Sequence, residues 1–296
     1  MDSQLIISQK KQKNSYGSKI ELLSPAKLNL YLNIVGKYPD GYHRLESIVE
    51  RVSLFDQLSI KINANPNIVI RSNKKELESK ENLCYKAARL IKKEFNLPFG
   101  FDIYLKKNIP IGSGLGGGSS NAAFTILGIK RLLSFQISQE KLYKIGQKIG
   151  SDVNFFLSGA KFAYLSGRGQ IVKPLVSKMK LDHFIVWPQV SVSTKRVYKN
   201  SKAKLTRFFS NVNIMEYSFR NLDRSLLKKG VYNCLEKSAF NLYKKLKEVK
   251  SILNSKDMFS IMSGSGGAFF TIGLINGKKI KRNIPKSWLV HKVQTV

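Results

Sequence analysis

Asp152 is the one acid in the otherwise apolar stretch Ser151–Gly159, SDVNFFLSG. A carboxylate in such company can take the proton of a reacting hydroxyl. It can equally serve as the N-cap of a helix, a place Asp favours. Lys27 and Asn29 form a second candidate pair. They lie in AKLNLYLNIV (Ala26–Val35), where Ala26, Leu28, Leu30, Leu32 and Ile34 recur with a period of two. That period is a strand with one face in the core, and it puts Lys27 and Asn29 side by side on the other face. There they either reach a ligand or form a solvated polar edge.

The third candidate is IPIGSGLGGGSSNAA (Ile109–Ala123), which carries no charge and is rich in Gly and Ser. A glycine run opening a helix presents unpaired backbone N–H groups to an anion, phosphate above all, and lets it approach the backbone closely. Two familiar phosphate-binding loops fit it poorly. A P-loop needs Lys after its last glycine, whereas Ser119 follows Gly118. Gly112, Gly114 and Gly117 match the dinucleotide pattern GxGxxG, but its ribose-binding acid should stand about twenty residues on. Ile137 is there instead. A tight glycine turn without a ligand is the remaining alternative.

These residues need elements to hold them. Strands are expected at Leu58–Ala64, Ile68–Ser72, Phe101–Ile109, Lys161–Leu165, His183–Trp187, Phe259–Met262 and Ala268–Ile272. Helices are expected at Glu81–Phe95, at Asn121–Leu133 directly after the glycine run, at Gln139–Ile149 behind a Ser138 cap, and through Asn233–Leu253. Strands and helices mix without strict alternation, which predicts an α+β fold. The chain of 296 residues suits two domains. We expect a flexible extension over 1–19, an N-terminal domain over 20–176 and a C-terminal domain over 177–296.

Composition narrows the classes. No apolar run is long enough to cross a membrane, and the polar N-terminus lacks the h-region of a secretory signal. Cys84 and Cys234 make no disulfide framework, and a reducing cytoplasm fits them. His43, His183 and His291 show no metal-ligand spacing with the cysteines. The net charge of +32 raises nucleic acid as a partner. The lysines are spread along the whole chain, however, so the charge reads as a generally basic solvated surface that also favours anionic small molecules.

Three segments in order, SPAKLNLYLNIVGKYPDGYHRLES (Ser24–Ser47), the glycine run (Pro110–Ala123) and MSGSGGAFF (Met262–Phe270), resemble the signature of the GHMP kinase superfamily. The resemblance covers about residues 20 to 272. The DGYH element, GSDVNFFLSG and SVSTKRVY narrow it to the branch acting on a cytidylyl diphosphate alcohol. It implies an N-terminal domain like domain 2 of ribosomal protein S5, a ferredoxin-like C-terminal domain and an active site in a cleft between them. It also implies a reaction, in which ATP phosphorylates the 2-hydroxyl of 4-diphosphocytidyl-2-C-methylerythritol in the non-mevalonate isoprenoid pathway. Mg²⁺ would accompany ATP, with Ser119 or Ser120 as a candidate protein ligand; the metal ligands are otherwise unknown.

By this resemblance Asp152 is the catalytic base, Lys27 keeps it ionised and supports the hydroxyl, and Asn29 contacts the substrate. Pro110, Gly112, Ser113, Gly114, Leu115, Gly116, Gly117, Gly118, Ser119 and Ser120 wrap the ATP phosphates. Tyr42 and His43 match the cytidine end, one to stack and one to hydrogen-bond. Thr194 and Tyr198 share a face if their stretch is helical, and Tyr198 would give a second stacking ring. Ser263–Gly267 would pack against the phosphate loop and shape the cleft, or serve as a purely structural turn. The chain departs from the family at Asn233–Glu236, NCLE, where Cys234 replaces the usual acid. Partners are small molecules, with no membrane and no nucleic acid expected, and the chain is expected as a monomer or weak homodimer. The alternatives are a sibling kinase for homoserine, mevalonate or a sugar, and an RNA-binding module on the S5-like fold.

Overall fold

The computed structural model describes residues 6–10, 16–201, 211–255, 258–272 and 284–296. The expected extension therefore lies partly outside the described residues. The chain divides into two compact units. The first comprises Met1–Ala26, Phe55–Ile109 and Gly116–Gly159, and the second Lys27–Leu54, Pro110–Leu115 and Ala160–Val296.

The first unit is a sheet covered by helices. Its strands are β1 (Ile6–Lys10), the start of β2 (Lys19–Lys37), the end of β3 (His43–Asn63), β4 (Ile68–Ser72) and β5 (Gly100–Lys106). Their order is β1-β2-β3-β5-β4. The β1–β2 and β3–β5 pairs are antiparallel, whereas β4 and β5 run parallel from Ile68↔Phe101 to Ser72↔Leu105. In β5 every second residue from Phe101 to Leu105 is buried, as a strand with one core face requires. Helices α1 (Leu83–Glu94), α2 (Gly117–Leu132), α3 (Gln139–Gln147) and α4 (Val153–Leu157) complete the unit. Asn82 caps α1 by accepting from Cys84 N–H, and Ser138 caps α3 by accepting from Lys141 N–H, as Ser in that place predicts. Cys84, Ala87, Ala88 and Ile91 form the buried stripe of α1. Helix α2 is buried on nearly every side. At its centre Gly128 lies so close to the sheet that a Cβ there would stand 2.7 Å from Ile60.

The second unit holds the rest of β2 and β3 together with β6 (Phe162–Ser166), β7 (Ile171–Leu175), β8 (Asp182–Trp187), α5 (Thr194–Asn200), α6 (Asn211–Asn221), α7 (Arg224–Gly230), β9 (Tyr232–Asn233), α8 (Glu236–Leu242), α9 (Lys244–Asn254), β10 (Ser260–Met262), β11 (Phe269–Thr271) and β12 (Leu289–Gln294). Four strands make an antiparallel sheet in the order β10-β11-β8-β12. Beneath it Phe184, Val186, Leu246, Val249, Leu253, Met262 and Phe269 form a core that Leu32, Ile34 and Leu235 join. The α+β class expected from the sequence is the observed one. The helical region expected through Asn233–Leu253 consists of two helices, because the backbone of Tyr243 leaves the helical conformation at φ −131° and ψ 82°.

Candidate functional site

Three segments of the second unit converge on the beginning of the glycine run. Lys27 and Asn29 share a face of β2 as their spacing predicts, but they are buried, at 4% and 5% exposure, rather than solvated. Burying a lysine is costly without compensation. The Lys27 ammonium donates to Asn29 Oδ1, and Asn29 Nδ2 donates to Ser47 Oγ at 2.9 Å. Ser47 in turn donates to the Tyr31 carbonyl at 2.6 Å, so the Asn29 amide is held in one orientation. The backbone joins in as well, with Lys27 N–H donating to the Leu115 carbonyl at 2.9 Å.

The second glycine cluster is the third segment. Ser263 Oγ donates to the Gly114 carbonyl at 3.1 Å, and Ala268 N–H donates to the Ser113 carbonyl at 2.9 Å. Gly114 explains its own residue type. Its φ is +81°, and a Cβ on it would stand 2.1 Å from the Ser263 carbonyl oxygen. Both the torsion and the packing exclude any larger residue. A Cβ at Gly264 would likewise stand 3.2 Å from Lys27 Nζ and 3.3 Å from Asn29 Oδ1. Ser263–Gly267 thus packs against Gly112–Leu115, the arrangement expected of it.

In the first unit the run becomes the N-terminus of α2. Gly116 takes the left-handed conformation, φ 70°, as the residue before the helix. The backbone N–H groups of Gly117, Gly118 and Ser119 then belong to the first turn, where no intrahelical acceptor exists. Gly118 is exposed and Ser119 half-buried, so this end is open to an anion. Ser120 differs from its neighbours. It is fully buried, and its hydroxyl pairs with Ser24 Oγ at 2.8 Å. Of the two candidate serines, Ser119 is the one that is not fully buried.

Asp152 lies in this same unit, half-buried. It occupies the position just before α4, yet its side chain makes no capping hydrogen bond. The segment carrying it packs beside the head of α2, since a Cβ at Gly150 would stand 3.7 Å from Ser119 Oγ. The acid and the glycine-run helix are therefore neighbours within one unit.

The remaining candidates gather in the second unit. Thr194 and Tyr198 are on one helix, α5, capped by Ser193. Thr194 Oγ1 is 2.7 Å from Ser265 Oγ, so α5 is tied to the second glycine cluster. The Tyr198 ring lies 5.6 Å from the His43 ring, tilted by 43°. Burial, with help from the Lys37 charge, holds the His43 imidazole below the ordinary histidine value. Tyr42 is 61% exposed and has a different neighbour: the Arg168 guanidinium sits 4.4 Å from its ring centroid. Asp40 fixes this turn by accepting from Tyr42 N–H at 3.1 Å and pairing with Arg168. The structure brings His43 and Tyr198 together and sets Tyr42 beside Arg168.

Comparison with known proteins accords with this geometry. The description "GHMP kinases N terminal domain" matches residues 82–160 and "GHMP kinases C terminal" matches residues 215–289. A 4-diphosphocytidyl-2-C-methyl-D-erythritol kinase of Lachnoclostridium phytofermentans is 36% identical over 255 residues, which is 86% of this chain and 87% of that protein. One of Syntrophus aciditrophicus is 36% identical over 286 residues, 94% and 99% of the two chains. The chain belongs to the GHMP kinase family. A crystal structure of 4-(cytidine 5'-diphospho)-2C-methyl-D-erythritol kinase matches this GHMP kinase with a TM-score of 0.77 at 29% identity, over 93% of this chain and 99% of that one. A homoserine kinase from Cytophaga hutchinsonii shares the fold, with a TM-score of 0.69 at 16% identity, over 98% and 97% of the two chains.

Several residues that frame the site of this GHMP kinase escape a reading of motifs. Asn233 is buried, and its amide donates to the carbonyls of Met262 and Gly264 at 2.7 and 2.8 Å, which holds the second glycine cluster in place. Glu236 accepts from Met262 N–H at 2.9 Å and from Lys250 at 3.1 Å. Their only signal was the NCLE segment itself. Cys234 between them packs against the apolar core, and burial pushes its thiol up to about 11. It is thus an uncharged packing residue.

Proposed function

We propose that this chain transfers the γ-phosphoryl group of ATP to the 2-hydroxyl of 4-diphosphocytidyl-2-C-methyl-D-erythritol, giving ADP and the 2-phosphate. Identity of 36% across 94% of the chain to a kinase of that name carries the reading. The open N–H groups at the head of α2 support it, since phosphoryl transfer depends on positioning and on neutralising phosphate charge.

In this reading the run Pro110–Ser120 cradles the triphosphate. Asp152 takes the proton of the attacking hydroxyl, and Lys27 supplies positive charge to the reacting oxygens. Asn29 orients the alcohol. His43, kept neutral by its lowered proton affinity, can both donate to and accept from a pyrimidine edge. Tyr42 and Tyr198 offer rings for the base, with Thr194 beside them.

Among the described residues no cluster of three His, Cys, Asp or Glu side chains is arranged to hold a metal. Mg²⁺ would accompany the phosphates, and of the two candidate serines the half-buried Ser119 suits it better than the fully buried Ser120. When bound it would supply positive charge that offsets the charge of the phosphates. We place the enzyme in the cytoplasm, as a monomer or weak homodimer. Both cysteines are free thiols, and no helix among the described residues is long and apolar enough to cross a membrane.

The test is ADP release from ATP and Mg²⁺ with the cytidylyl alcohol, run beside homoserine and mevalonate. Release with the cytidylyl alcohol alone is expected. Release with another alcohol would keep the phosphate loop and discard the cytidine pocket.

A further inference from the structure

One buried cluster of the first unit plays no part in the chemistry described so far. Asp56, on β3, is fully buried. Its Oδ1 accepts from the backbone N–H groups of Asn108 and Ile109 at 2.7 and 2.8 Å. Its Oδ2 accepts from Lys107 Nζ and, at 2.9 Å, from Asn121 Nδ2. Asn121 Nδ2 also donates to Ser24 Oγ at 3.0 Å, and Ser24 is the partner of Ser120. One carboxylate therefore ties Asn108 and Ile109, just before the glycine run, to Asn121 in the second turn of α2.

The placement of Lys107 is the informative feature. A Cβ on Gly117 would stand 2.6 Å from Lys107 Nζ, so the ammonium lies directly under the first residue of α2. A positive charge at the N-terminus of a helix opposes the helix dipole. Burying it is costly unless it is well paired. The Asp56 carboxylate supplies that pairing, and the lysine still opposes the helix dipole. An incoming polyphosphate reverses the sign, because the same charge then adds to the helix dipole and the open N–H groups. Burial draws Lys107 below the ordinary lysine value, and the Asp56 carboxylate opposes that shift.

We propose that Asp56 is a positioning residue for ATP, fixing both flanks of the glycine run and holding the Lys107 charge under Gly117 where the phosphates dock. This rests on the kinase reading above. The role differs from that of a core ion pair kept for stability, and the two separate by experiment.

The full chain is compared with Asp56→Asn, Asn121→Ala and the charge-neutral double variant Asp56→Asn/Lys107→Gln. ATP and ADP affinity, both KM values, kcat and the thermal midpoint are read for each. In Asp56→Asn the KM for ATP rises about tenfold or more, while that for the alcohol stays within about twofold. In the double variant the buried pair is neutral again, so the thermal midpoint recovers, yet the KM for ATP stays high. Asn121→Ala, which strands no charge, raises the KM for ATP by about threefold. Should Asp56→Asn fail to fold, the other two variants carry the test. The proposal is overturned if nucleotide affinity in the double variant returns to that of the unaltered chain, or if both KM values and kcat merely follow the thermal midpoint. An unaltered chain that binds no ATP would instead defeat the kinase reading itself.

Discussion

Asp152 has the location of a helix cap without the hydrogen bond of one, and replacement tells the two roles apart. Asp152→Asn is expected to lower turnover by about 10²–10⁴-fold, the usual worth of a positioned base, with ATP still bound and the thermal midpoint little changed. Normal turnover with about 1 kcal/mol of lost stability would make it a cap after all. At the cytidine end, Tyr42→Ala should raise the KM for the cytidylyl substrate and leave that for ATP alone; an unchanged KM removes Tyr42 from the pocket. His43 adds a pH dependence. Its proton affinity is lowered by burial and by Lys37, so the neutral ring persists below the ordinary value near 6.5 (approximately;). The KM for the cytidylyl substrate should stay flat from alkaline pH down through that value and rise only in more acid buffer. His43→Asn should abolish the acid rise while keeping a flat profile.

The glycine run separates conformational need from room for a ligand. Gly114, with φ +81° and the Ser263 carbonyl in the place of its missing side chain, cannot become Ala without a shift of backbone. Gly114→Ala is expected to lower the thermal midpoint and activity together. Gly118 is a helical, exposed residue whose Cβ would meet only Leu83 at 3.4 Å. Gly118→Ala should therefore stabilise the protein by about 0.4–1 kcal/mol while raising the KM for ATP, because a methyl group would stand where phosphate approaches. A fall in the thermal midpoint with unchanged KM would contradict this. The sequence made these elements visible to different degrees. The period of two over Ala26–Ile34 placed Lys27 and Asn29 on one face, and the glycine spacing marked the head of α2. Their burial was not visible, since it comes from Ser47 and Ser263, which are distant along the chain. Asp56 was equally hidden: a single acid in an apolar strand reads as an edge residue until its four donors are seen. The partner of Tyr42 was missed for the same reason, as Arg168 lies far from it in sequence and near it only in the fold.

Across the molecule, stability is joined to pH through a buried cluster in the second unit. His183 Nδ1 donates to the Thr271 carbonyl at 2.8 Å, and Nε2 meets Glu50 at 2.8 Å. Thr295 Oγ1 donates to the other oxygen of Glu50 at 2.6 Å. Burial pushes His183 down, but the Glu50 charge and hydrogen bond, with the Thr271 carbonyl, outweigh it and raise the net proton affinity. A raised folded value means stability that is fully present below the unfolded value and lost as pH rises through the folded one. The thermal midpoint of the unaltered chain should thus exceed that of His183→Gln most in acid buffer, with the gap closing as pH rises; a gap that widens with pH would refute the linkage. Burial acts on the thiols in the opposite sense, favouring their protonated form. Burial pushes Cys84 up to about 12 and Cys234 to about 11, so at pH 7.5 roughly one in a thousand or fewer of either is thiolate, the form that reacts. Both thiols are therefore expected to react slowly with maleimides and mild oxidants. A single cysteine introduced at an exposed position beside the glycine run would be labelled alone, giving a fluorescent report of nucleotide arrival without first stripping the native sulfur from the protein.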